Sequence, residues 1–284
     1  MPNFNKTIQL FIFEGNPNGR IMCELSNWNG RVYKIARNQL SEFSQRTDST
    51  YTGVYFLFGK DENNTTTIYI GEAENIITRL KQHLNDDVYW NECVVVISNN
   101  DSLNKAHVKF LENKFYRLAK DANRSKIING TIPTCSSVSE YDQAMLEEFI
   151  DNAKLLVATL GYKSFETLEP QIEETIKFYI SAARGAEAVG TIVSDGFIVF
   201  KGSTVASSTT SSMSDNLKNF RAKLYADGII DSNNKFVEDY LFSSPSYAAA
   251  IVMGRNANGK TEWKTSDRKN IHDIELQLYS IFSY

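Results

Sequence analysis

The apolar positions of the first fifty residues fall in short alternating runs separated by turn-forming clusters. IQLFIFE precedes GNPNG, RIMCELS precedes NWNG, and RVYKIA follows, a pattern of strands joined by two hairpin-like connections. RNQLSEF closes this stretch as a short helix, and Trp28 sits at a turn where it caps the small sheet. From Thr52 the runs lengthen. GVYFLF (53–58) predicts a strand, KDENNTTT a polar connection, and TIYI (67–70) a second strand ended by Gly71. Residues 74–83 then take helical spacing, with Ile76, Leu80 and Leu84 on one face and Arg79 and His83 four apart on another. CVVVIS (93–98) is uniformly apolar, as a strand covered on both sides would be, and KAHVKFLENKFYRLAK predicts a longer helix with Leu111, Phe115 and Leu118 inward.

Beyond residue 135 the period is helical in YDQAMLEEFIDNAKLLVATLG and again in EETIKFYISAA, a pair of connecting helices. GTIVSDGFIVFKG restarts as a hairpin. LKNFRAKLYADG is helical and ends at Gly228, and SPSYAAAIVMG begins a helix with Ser244 as its cap and Pro245 at the first turn. NGKTEWKT has the form of a turn followed by a strand. These patterns divide the chain into a β-rich extension (1–50), a compact α/β core (51–135), a helical connector (136–185) and a C-terminal α+β domain (186–284).

Charge sharpens this division. The 30 basic and 34 acidic residues of the 284-residue chain give a net charge of −4, which excludes a uniformly basic nucleic-acid coat. The distribution is uneven: residues 1–50 hold six basic and four acidic side chains, and 51–135 hold ten of each. Residues 136–180 hold three basic and nine acidic, and 181–284 hold eleven of each. A local basic groove in the core therefore remains compatible with the overall charge. Cys23, Cys93 and Cys135 lie far apart, without zinc-ligand spacing, and read as reduced thiols of a cytoplasmic protein. The chain starts without the apolar run of a secretory signal, and no apolar stretch reaches the ~20 residues of a membrane span. No GxxxxGK[ST] run supports nucleotide hydrolysis.

The most informative feature is an ordered set of residues within 51–135. Gly53-Val54-Tyr55 and Tyr69-Ile70-Gly71 stand on successive strands, Arg79 and His83 on the next helix, and Glu112 in the later Leu111-Glu112-Asn113 segment. In this order the chain resembles the GIY-YIG nuclease family, over about residues 52–135. The flanking segments resemble a bacterial architecture that adds an N-terminal extension and a C-terminal domain of unknown function (the DUF4357 type). That C-terminal resemblance is strongest at 225–284, around LFSSPSYAAAIVMGRNANGKTEWK. The resemblance implies a small three-stranded antiparallel sheet flanked by helices, and metal-dependent hydrolysis of DNA phosphodiesters in restriction, anti-phage defence or DNA processing.

It also implies roles for particular residues. Tyr69 is the general-base candidate for the attacking water, and Tyr55 orients the water or the phosphate. Tyrosine has a free pKa near 10, so base chemistry near neutrality requires a strong hydrogen bond or nearby positive charge. Arg79 holds phosphate through its planar fork. Glu112 supplies a hard oxygen ligand for Mg²⁺ or Mn²⁺, the remaining ligands being water and phosphate. His83 contacts phosphate or assists proton transfer, and Asn129 corresponds to a late polar residue of the site. Gly71 and Glu72 form its edge. Several relatives carry Lys or Ser where this chain has Glu72, and an acid there either helps position metal or water or disfavours phosphate. Lys81, Lys105, Lys109, Lys114 and Lys126 are the candidate DNA contacts, and Lys105 and Lys109 place His107 on the same edge. The C-terminal domain is a candidate surface for a protein partner or self-association. Two other readings stand beside this one: a noncatalytic DNA-binding or assembly protein on a nuclease scaffold and, ranked lower, an RNA-processing nuclease.

Overall fold

The computed structural model describes residues 5–62, 64–85, 90–167 and 176–281. Its contacts separate the chain into two units, Met1–Thr167 and Leu168–Tyr284. The first is built on a seven-stranded sheet. In chain order its elements are β1 (Ile8–Ile12), β2 (Ile21–Leu25), β3 (Gly30–Ala36), α1 (Leu40–Phe43), β4 (Gly53–Lys60), β5 (Thr66–Ala73), α2 (Ile76–Gln82), β6 (Glu92–Ser98), α3 (Lys105–Ala122), β7 (Lys126–Ile127) and α4 (Glu140–Thr159). The strand order is β1-β2-β3-β6-β4-β5-β7, antiparallel except for the β5–β7 pair.

Why the central strands read as unbroken apolar runs is now clear. Successive side chains of a strand point to opposite faces, and here both faces are covered. Val54, Phe56 and Phe58 of β4 join Val94 and Val96 of β6 in a core with Leu111 and Phe115 of α3 and Leu146, Phe149 and Leu156 of α4. Tyr55 and Leu57, with Val95 and Ile97, enter a second core with Leu40 and Phe43 of α1 and Ile76, Ile77 and Leu80 of α2. Each such side chain, once buried, contributes roughly 1.5–3 kcal/mol.

The expected three-stranded sheet is thus part of a larger one. β4, β5 and β6 do pair antiparallel, but β3 pairs with β6 along its whole length, from Gly30↔Ser98 to Ala36↔Glu92. The strands of residues 1–50 therefore extend this sheet, β3 filling its backbone hydrogen bonds with β6 on one edge and β2 on the other. Trp28 packs on Phe149 of α4, with ring centroids 4.8 Å apart. β5 also continues past Gly71 to Ala73. The expected pair of connecting helices is a single one. α4 lays Leu146, Phe149 and Leu156 on the first core, and Phe178–Ala182 is a strand, its alternate Phe178 and Ile180 being buried. Residues 168–175 of that stretch lie outside the described residues.

The second unit has a core of its own. β8 (Phe178–Ala182), β9 (Ala186–Val193), β10 (Gly196–Val199), α5 (Asp215–Ala226), β11 (Tyr240–Phe242), α6 (Pro245–Met253), α7 (Gly259–Glu262) and α8 (Ile271–Ile281) follow in order. The sheet runs β11-β10-β9-β8, fully antiparallel. The hairpin expected at GTIVSDGFIVFKG is β9–β10, and Ser244 caps α6 by accepting from the Tyr247 amide, with Pro245 at its first turn. NGKTEWKT starts as a helical turn rather than a strand, and of its end Lys264 alone bridges antiparallel to Tyr179 of β8 among the described residues. Asn258 caps the short α7, and Trp263 is fully buried against Phe197, its Nε1 donating to Pro245 O at 3.0 Å. Arg221 is buried with no carboxylate partner among the described residues; it donates to Ile251 O at 2.6 Å and so satisfies a carbonyl in the last turn of α6.

Candidate functional site around Tyr55 and Arg79

β4 and β5 pair so that Tyr55 faces Gly71 and Leu57 faces Tyr69. Gly71 leaves room that the Tyr55 ring fills: a Cβ there would lie 2.3 Å from the Tyr55 Cζ and hydroxyl. The missing side chain lets the phenol cross β5 toward the edge of the sheet. α2 then brings its polar groups to that hydroxyl. Asn75 caps α2 by accepting from the Thr78 amide at 3.1 Å, which fixes the start of the helix one turn before Arg79.

The Tyr55 hydroxyl lies 2.8 Å from His83 Nε2, and Arg79 Nε–H donates to it at 3.3 Å. Gln82 accepts from Arg79 Nη1 at 2.9 Å, and Trp90 Nε1 donates to His83 O at 3.1 Å, so both partners are themselves held. Tyr69, half-buried, stacks with Tyr55 at 6.3 Å and tilts against the His83 ring at 5.0 Å. Burial and the neighbouring Tyr69 push the Tyr55 phenol well above its ordinary pKa despite Arg79. Tyr55 therefore stays protonated and acts as a hydrogen-bonding group. Arg79, its charge reinforced by the bond to Tyr55, is exposed and available to an anion.

Glu112 comes from α3, on the opposite face. Its charge nevertheless acts on Tyr55, and those of Glu72 and Arg79 act on it. The two faces meet at the edge of β5. β7 covers that edge only at Thr67 and Ile68. Asn129 then imitates one more strand residue: its Oδ1 accepts from Ile70 N at 3.0 Å and its Nδ2 donates to Ile70 O at 2.7 Å. Beyond Ile70, no strand among the described residues covers Gly71 and Glu72. The Glu112 carboxyl is half-buried and pushed up to about 7, first by burial and then by Glu72. A divalent cation would offset that repulsion. Among the described residues no group of three or more His, Cys, Asp or Glu converges to hold one. An ion here would rest on Glu112, with water and phosphate oxygens completing its shell, since Glu72 is engaged by Lys105.

Beside this edge lies a groove of about 350 Å³ lined by Glu72, Asn75, Thr78, Arg79, Gln82 and Lys105, among others. Lys105 pairs with Glu72 at 2.9 Å and approaches Glu74 at 3.6 Å. Of the other expected contact lysines, Lys109 lies close enough for its charge to act on Glu112, and the rest are engaged elsewhere or stand alone. Lys114 pairs with Glu147 at 3.4 Å and Lys126 with Asp61 at 3.3 Å, while Lys81 and Lys109 have no ion pair among the described residues. His107 is not on an open edge: it is buried, folds back onto the Asn104 cap of α3, and lies 3.5 Å from Asp142. Sequence reasoning did not single out Asn75, Gln82 or Trp90. Asn75 was legible as a cap immediately before the apolar spacing, and Gln82 as the residue three after Arg79; Trp90 carried no local signal.

Comparison with known proteins bears on the second unit. Residues 178–275 match the family described as a domain of unknown function (DUF4357). The match begins at the first residue of β8, inside the stretch expected as connector. Neither the curated proteins nor the solved structures yield a match. Among the described residues no helix is long and apolar enough to cross a membrane.

Proposed function

We propose that this chain is a divalent-metal-dependent DNA endonuclease of the GIY-YIG type, with its catalytic groups on the first unit. The observation that carries the reading is the convergence of Arg79 and His83 on the Tyr55 hydroxyl, over a glycine that makes room for it. Those residues also stand in the order the family resemblance requires. Arg79 binds a phosphate oxygen and opposes the charge that develops on phosphorus oxygens during attack. Tyr55, protonated and braced, positions that phosphate or the attacking water. Tyr69, beside Arg79 and with its ring against His83, takes the proton from the water. Glu112 would hold Mg²⁺ or Mn²⁺, which supplies further charge neutralisation at the phosphate. Asn129 acts as a positioning residue by fixing Ile70 between Tyr69 and Gly71.

The test is cleavage of plasmid, branched and single-stranded DNA, with a parallel RNA arm, in Mg²⁺ and in chelator. Metal-dependent cleavage lost in Glu112→Ala and Tyr69→Phe, with binding retained, supports the reading. A second reading, a noncatalytic DNA-binding or assembly protein, draws on the Lys105–Glu72 pair, which places an acid at the edge of the groove. Binding without cleavage on every substrate would favour it, and cleavage of RNA alone would favour an RNA-processing enzyme.

A further inference from the structure

Strand β5 carries its alternation out of the core and into the site. Ile68 and Ile70 are buried with Leu111 and Phe115 of α3, and Glu72, two residues further, falls on that same face of the sheet. Lys105 opens α3, and its ammonium straddles the Glu72 carboxylate, 2.9 Å from one oxygen and 3.0 Å from the other. Glu74 stands at 3.6 Å, its side chain 64% exposed. The two members of the pair differ in freedom. The Glu72 side chain is 13% exposed and belongs to the wall, whereas that of Lys105 is 45% exposed on a flexible four-carbon stem. Both line the groove of about 350 Å³ that Arg79 lines from α2. Arg79 bonds to the neutral Tyr55 and Gln82 and has no carboxylate partner among the described residues. One cation of the groove is therefore ready for an anion, and the other is already neutralised.

We infer that Lys105 is a second phosphate contact of this groove, held back by Glu72 and released only to a phosphate seated between Lys105 and Arg79. The inference rests on the proposed reading of this site, whose ligand is DNA. The exchange is nearly balanced, because the ammonium gives up carboxylate oxygens to gain phosphate oxygens and both ion pairs face solvent. Glu72 stays in the wall and repels the phosphate that displaced it. Lys105 thus adds little to the affinity of the wild type. What it adds is discrimination. A phosphate that merely passes the groove does not draw Lys105 from Glu72, so the attraction of this face for DNA in general stays low. Glu72 sets that threshold, and Glu74, more distant and more solvated, does not replace it. A salt signature follows. Moving Lys105 from a carboxylate to DNA frees a counter-ion from the phosphate and returns one to Glu72. In the wild type this contact therefore leaves the salt dependence of binding unchanged.

Binding of the full chain to a short fluorescein-labelled DNA duplex tests it, followed by anisotropy in EDTA so that no cleavage intervenes. The wild type is compared with Glu72→Gln, Lys105→Gln and the double variant, and circular dichroism checks that each keeps the fold. Glu72→Gln should tighten binding at least about fivefold at low salt. It should also steepen the fall of log K with log salt by about 0.9, the count for one further phosphate contact. Lys105→Gln should weaken the wild type by less than about twofold yet remove most of the gain made by Glu72→Gln, a non-additivity that plain removal of a negative charge does not give. Additive effects of the two substitutions overturn the inference, as does a Glu72→Gln variant that binds no tighter than the wild type. The cleavage reading is tested separately, in Mg²⁺. Cleavage by the wild type with additive binding effects sinks the inference alone. The expected coupling without cleavage of any substrate sinks the cleavage reading alone, and no DNA binding by wild type or Glu72→Gln sinks both.

Discussion

Gly71 is the residue on which the site's geometry depends most directly. Gly71→Ala places a methyl group where the Tyr55 ring already lies, and the ring is confined by β4 and by α2. We expect the ring to be displaced from Arg79 and His83 at a cost of about 1–3 kcal/mol, measurable by chemical denaturation together with loss of any cleavage activity. Glu112 gives a second expectation. Its carboxyl is pushed up to about 7 by burial and by Glu72, so between about pH 4.5 and 7 the folded chain binds more protons there than the unfolded chain. Stability contributed by this group therefore falls as pH rises through that window. Glu112→Gln should raise stability at pH 8 by about 1–2 kcal/mol, less than the whole shift because the carboxyl is partly solvated, and the gain should vanish near pH 4. Melting curves at the two pH values check it.

Among the elements, β5 and its edge decide how the site is held. Asn129 supplies both hydrogen bonds that a neighbouring strand would give Ile70. Asn129→Ala should speed amide exchange at Ile70 and cost about 1–2 kcal/mol, with Tyr69 and Gly71 loosened while β6 is unaffected. Much at this scale was legible in the sequence. The apolar run at 53–58 marked a strand and that at 93–98 a strand covered on both faces, and the caps at Ser244 and Pro245 marked α6. Two segments misled for identifiable reasons. In IKFYISAA, Ile176, Tyr179 and Ile180 fit a helical stripe, but burial of Phe178 and Ile180 gives the period of two that β8 adopts. In NGKTEWKT, alternation suggested a strand, whereas the Asn258 cap and the buried Trp263 impose a helical turn. The two-residue β7 is too short to leave a pattern. The long β3–β6 pairing joins segments sixty residues apart and leaves no local signature either.

The whole chain is two folding units by the evidence of its cores: two clusters lie within the first 167 residues and one lies wholly beyond residue 177. A fragment of residues 1–167 should therefore unfold cooperatively on its own, with a single denaturation transition; a broad, non-cooperative transition would show that it depends on the second unit. The net charge of −4 acquires a more local meaning at this scale. Lys105, Lys114 and Lys126 are engaged with carboxylates, and Arg79 is the exposed cation that the site itself positions. On the proposed reading, cleavage is confined to a small face centred on Arg79, in keeping with a charge that excludes a broadly basic surface. The most direct test of that claim compares wild type with Arg79→Ala on plasmid and single-stranded DNA in Mg²⁺. We predict metal-dependent cleavage by the wild type and a fall of at least about 10²-fold in the variant, the scale of losing one transition-state charge contact. Equal cleavage by both proteins would contradict the account.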